Sequence, residues 1–94
     1  MPAYLVTYDL RRPGRHDRDL RRVLEDEYRA TLVLPATWVL RTPATAKQVA
    51  DDLLARALDP DDGLVVVPLS YSTAWSMLDI SDAAMDALVV GQRP

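Results

Sequence analysis

The chain of 94 residues contains no cysteine. That single absence removes disulfide staples, thiolate metal sites and thiol nucleophiles together, and it fits a reducing, cytoplasmic setting. There is one histidine, His16, so a multi-histidine metal site within one chain is excluded. Only three glycines are present, and no glycine-rich phosphate loop or Walker pattern occurs. No apolar run approaches the roughly 20 residues needed to span a bilayer. The start, Met-Pro-Ala-Tyr, carries no basic and apolar leader, so no secretory signal is expected. Internal repeats and low-complexity tracts are also missing. Ser70, Ser72 and Thr73 have no histidine near them in sequence, which gives a hydrolase triad no support.

What is present suits one small α+β domain covering residues 1–94. The apolar fraction is 49%, enough for a globular core. A chain of this size buries only about 60–65% of its unfolded surface, so its core is thin and a second copy would shield what one copy leaves wet. The formal net charge of −3 conceals a segregation. Between Leu10 and Arg22 stand six arginines against Asp17 and Asp19, whereas Asp51 to Asp86 holds eight acids against Arg56 alone.

Tyr4, Val6 and Tyr8 alternate with Leu5, Thr7 and Asp9, both sets largely apolar, as in a central strand. Arg11-Arg12-Pro13-Gly14 then reads as a loop. Leu20, Val23, Leu24 and Tyr28 fall on one face of a helix whose start carries Asp17 and Asp19. Arg18, Arg21 and Arg22 point off that stripe, and Glu25 is spaced to pair with Arg29. Thr31–Leu34 and Thr37–Thr42 are two short strands around a turn or bulge at Pro35, with Trp38 and Leu40 on one face and Thr37, Val39 and Arg41 on the other. Thr45-Ala46-Lys47-Gln48 is a capping box opening a second helix. Val49, Ala50, Leu53, Leu54 and Ala57 form its buried stripe, and Asp59-Pro60 stops it. Leu64–Val67 reads as a buried strand. Tyr71–Trp75 reads as a loop or edge segment, and Ser81 as the cap of a short terminal helix running to Val90. This order predicts a ferredoxin-like β-α-β-β-α-β sandwich with a short C-terminal helix, both long helices on one sheet face.

Two features carry candidate chemistry. Asp9 closes the first strand, where a sheet presents side chains to a cleft; its carboxylate suits a hard divalent cation such as magnesium or manganese, or else accepts backbone amides of the following loop. Arg11, Arg12, Arg15, Arg18, Arg21 and Arg22 suit a phosphate backbone, or else a solvated face paired with the acidic half. No aromatics interleave with them, so base stacking is not suggested. Trp38 and Trp75 read as core or interface residues. His16 reads as a helix-terminus residue and is also a general-acid candidate beside a phosphate site.

The strand Tyr4-Leu5-Val6-Thr7-Tyr8-Asp9-Leu10 with its Arg-Arg-Pro-Gly loop, together with Ala36–Leu40, Asp59–Val67 and the region Trp75 to Leu88, resembles the SinR-like small proteins. That group is similar to the CRISPR-associated Cas-two family. The resemblance implies a ferredoxin-like fold and a homodimer built through the sheets. It also implies that Asp9 faces its twin across the dimer axis, holding magnesium or manganese for phosphodiester hydrolysis as an endonuclease on RNA or DNA. In spacer-acquisition complexes such a dimer is instead a non-catalytic scaffold for duplex DNA. The reading that follows is a cytoplasmic homodimer, without membrane contact, that binds nucleic acid through Arg11, Arg12, Arg15, Arg18 and Arg22. The alternative is a non-catalytic scaffold or regulatory protein-interaction module.

Overall fold

A computed structural model describes residues 1–12 and 14–69, the side chains of Arg15 and His16 excepted. The loop expected at Tyr71–Trp75, Trp75 itself and the helix expected at Ser81–Val90 lie outside the described residues.

Within them the chain is α+β, with a four-stranded antiparallel sheet and two helices. The elements are β1 (Ala3–Asp9), α1 (Arg15–Arg22), β2 (Thr31–Leu34), β3 (Thr37–Arg41), α2 (Ala46–Ala57) and β4 (Gly63–Pro68). In space the strands run β2-β3-β1-β4. β1 therefore has a neighbour on each side, pairing Val6 with Trp38 of β3 and with Val66 of β4. The registers also place Tyr4, Val6 and Tyr8 on the same face as Trp38, Leu40, Leu64 and Val66. Leu20 from α1, Val23 and Leu24 just beyond it, and Val49, Leu53 and Ala57 from α2 close over that face to form the core. The aromatic residues keep their polar ends satisfied. Trp38 Nε1 donates to Tyr8 OH at 3.1 Å, and Tyr4 OH donates to the Ala44 carbonyl at 2.7 Å.

Local chemistry explains the element boundaries. Gly14, at φ 106°, occupies backbone space closed to residues with a Cβ, and its carbonyl accepts from Arg18 N at the first turn of α1. The capping box of α2 forms as its sequence predicts: Thr45 Oγ1 accepts from Gln48 N at 3.1 Å, and Gln48 Oε1 accepts from Thr45 N at 2.8 Å. Thr31–Leu34 and Thr37–Arg41 are joined by the two residues Pro35 and Ala36, the second at φ 56°. The Ala36 carbonyl accepts from Tyr8 N, which ties this hairpin turn to the centre of the sheet.

Three sequence expectations need correction. The aliphatic run of β4 is covered on one face only: Leu64 and Val66 pack toward the helices, while Val65 and Val67, on the face away from them, are 52% and 40% exposed. Leu54 is likewise exposed, because Val49, Leu53 and Ala57 define a narrower buried stripe. Glu25 and Arg29 are not seen as an ion pair. α1 passes into a π-helical turn, Val23–Glu27, which breaks the i, i+4 spacing, and Arg29 has already left the helix at φ 52°. The backbone closes there through Tyr28 N to Val23 O and Ala30 N to Leu24 O.

Arg29 is exposed, so the strain at its left-handed backbone is separable from packing. Glycine adopts that conformation without a Cβ clash, at the cost of a more flexible unfolded chain. Arg29→Gly is expected to raise stability by roughly 0.5–1 kcal/mol. The check is the midpoint of urea unfolding; a lower midpoint would show that the arginine side chain contributes more than its backbone costs.

Candidate nucleic-acid interface

The antiparallel register of β1 with β4 sets Asp9 opposite Gly63. The chain leaving β1 through Leu10, Arg11 and Arg12 therefore runs beside the turn that enters β4. Asp62 joins the two. Its Oδ1 accepts from Arg11 N at 2.9 Å and its Oδ2 from Asp59 N at 2.8 Å, while Asp62 N donates to the Asp59 carbonyl at 3.1 Å. One carboxylate thus holds the turn closed and fixes it to the basic loop. Asp61, at the tip, has its Oδ2 3.4 Å from Arg12 Nη2.

Asp9 is exposed, and none of the described residues donates a hydrogen bond to its carboxylate. The loop-amide role considered for Asp9 belongs to Asp62 instead. A turn at Pro60-Asp61-Asp62-Gly63 was legible from its residue types, but its position against Arg11 depends on strand pairing across more than fifty residues, which no local pattern carries.

α1 presents the remaining arginines as its periodicity predicts, with Leu20 buried inward and Arg18, Arg21 and Arg22 outward. Arg21 Nε lies 3.3 Å from Asp17 Oδ2, and Arg22 Nη2 lies 3.8 Å from Asp19 Oδ1. The Arg12 and Arg22 side chains are 75% and 71% exposed. Among the described residues Arg18 has no carboxylate partner. The guanidinium carbon of Arg21 also sits 6.0 Å from the centroid of Trp38, at the outer limit of a cation–π contact. Arg15 belongs to α1, and its side chain lies outside the described residues, as does that of His16. The acidic half thus meets this surface through the turn of Asp61, which faces Arg12, and Asp62, which accepts from the Arg11 amide, while Arg21 and Arg22 face the helix's own aspartates.

The π-helical turn holds a second group of charges away from this surface. It delivers Tyr28 OH to Asp52 Oδ2 at 2.6 Å, and Glu27 to Arg56, which also reaches Asp52 at 3.4 Å. Burial, followed by the hydrogen bond to Asp52, pushes the Tyr28 phenol up to about 12. Tyr28 is therefore a neutral donor near neutral pH and fastens the end of the first helical segment to α2.

For a metal the residues fit poorly within one chain. A hard divalent cation takes six or more oxygens, and Asp9 brings one carboxylate. Among the described residues no group of three histidine, aspartate or glutamate side chains is placed to hold an ion. No family model, no curated protein and no solved structure matches this chain.

Proposed function

We propose that the chain is a ferredoxin-like, Cas-two-like homodimer that binds the phosphate backbone of RNA or DNA through its basic loop and first helix. The observation that carries this reading is the exposure of Arg11, Arg12, Arg18 and Arg22 within one short segment of loop and helix, which also holds Arg15. Their contacts with carboxylates are open surface pairs, worth about 0–1 kcal/mol each, and phosphate can replace them at little cost.

The fold name draws support from the strand order β2-β3-β1-β4, in which each helix links two strands that run the same way with a third between them. Self-association draws support from Val65 and Val67, aliphatic side chains exposed on the sheet face opposite the helices. A magnesium or manganese site for phosphodiester cleavage would require the partner's carboxylate beside Asp9. That arrangement rests on the family resemblance.

The test is a titration of short labelled RNA and duplex DNA, with light scattering on the same samples. Affinity is expected to fall with salt at a log–log slope of about −0.9 per neutralised phosphate on duplex DNA. Scattering is expected to give twice the chain mass at tens of micromolar. Binding that ignores salt would remove the arginine surface from the reading. A monomer at that concentration would remove the dimer and leave the surface.

A further inference from the structure

The basic loop is not free in the folded chain; it faces an acidic turn that the fold places there. We propose that the turn Asp59–Gly63 is a built-in competitor for this site. Asp61 occupies the Arg12 guanidinium as a phosphate would, and a polyanion binds by displacing it. This inference rests on the nucleic-acid reading and adds a regulation of the same site.

Three observations carry it. First, the turn is fixed in place: Asp62 bonds the Arg11 amide on one side and the Asp59 amide on the other, so Asp61 is held facing Arg12. Second, the pair itself is loose. Its atoms are 3.4 Å apart, and the two side chains are 75% and 52% exposed, so a better anion can take over the guanidinium without disturbing the core. Third, Arg21 and Arg22 face Asp17 and Asp19 in the same open manner, so these two guanidinium groups also start out paired with carboxylates that a polyanion would displace. In a chain of net charge −3, each of these carboxylates also repels the incoming phosphate. The fastening residue and the competing residue are therefore different. Asp62 serves the fold, and Asp61 sets how readily the loop accepts phosphate.

The experiment compares the parent with Asp61→Asn, which keeps the shape and removes the charge, on the same short RNA and duplex DNA at low and moderate salt. Asp51→Asn is the charge control: it makes the same change in net charge on α2, where Asp51 pairs with Lys47. Asp61→Asn is expected to tighten binding by a factor of about two to five, the scale of an open surface pair, and more than Asp51→Asn does. Introduced into an Arg12→Gln chain, the same change should bring no gain beyond that of the control. If the parent binds but Asp61→Asn matches the parent or the charge control, the competitor is overturned and the binding reading stands. An Asp61→Asn gain that persists without Arg12 also overturns it, since the effect would then be long-range charge. If neither parent nor variant binds either nucleic acid at low salt, the binding reading fails and the competitor falls with it.

Discussion

A chain carrying both Arg18→Glu and Arg22→Glu is expected to bind nucleic acid at least about a hundredfold more weakly than the parent at about 0.1 M salt. The log–log salt slope should become shallower by about two, one unit for each phosphate contact removed. The size of the effect follows from reversal rather than deletion, since each site loses a contact and gains a repulsion. Both side chains are exposed on the outer face of α1, while Leu20 is fully buried in the core. The fold is therefore expected to survive, with the loss confined to the open Arg22–Asp19 pair and a new repulsion at that position. Circular dichroism and a melting curve check the fold; anisotropy at several salt concentrations checks the binding. Undiminished affinity in a folded double variant would place any nucleic-acid contact somewhere other than α1.

The largest expected loss of stability is at Trp38. The side chain is 1% exposed, belongs to the second residue of β3, opposite Val6, and donates to Tyr8 OH. Trp38→Ala removes an indole from a core that a chain of this length can barely afford to thin, and is expected to cost about 3–5 kcal/mol. Domains of this size have a total stability of roughly 5–14 kcal/mol, so the variant loses a large part of it. Trp38→Phe retains most of the packing and removes the N–H donor. It should cost about 1–2 kcal/mol, from the smaller ring and the weakened partner of the buried phenol. Urea unfolding followed by circular dichroism distinguishes the two. Equal losses would mean that the hydrogen bond rather than ring volume dominates at this position.

The sequence announces its elements wherever the cause is local. The alternation in Tyr4–Asp9, the capping box at Thr45–Gln48 and the interruption at Pro35 each place an element boundary by short-range chemistry, and each is found in the structure. The outward arginines of α1 follow from the positions of Leu20, Val23 and Leu24. What local pattern could not give was neighbourhood. Four aliphatics in a row suggest a buried β4, but burial depends on a layer covering each face of the sheet, and Val65 and Val67 lie on the face away from the helices. The π-helical turn has no spacing signature, because the same apolar positions fit an ordinary helix until Tyr28 must reach Asp52. The candidate site divides in the same way. Its arginines were evident from composition, whereas the Asp61 and Asp62 contacts depend on a strand register spanning most of the described chain.

The placement of β1 between β3 and β4 also constrains how the protein is made. A ribosome releases the chain in N- to C-terminal order, so of the four described strands the one with a neighbour on each side, β1, emerges before both of them. Its pairing with β3 becomes available after about forty residues, but Tyr4 meets Pro68 only when nearly all the described chain is out. Until then one long edge of β1 has unsatisfied amides and carbonyls beside apolar side chains, a template for the wrong strand. During the same interval the arginines of the loop lack Asp61, so the nascent chain is locally more cationic than the finished protein. Synthesis that stalls between β3 and β4 would thus leave a fragment with a sticky sheet edge and an uncompensated basic loop on the surface of a particle made largely of RNA.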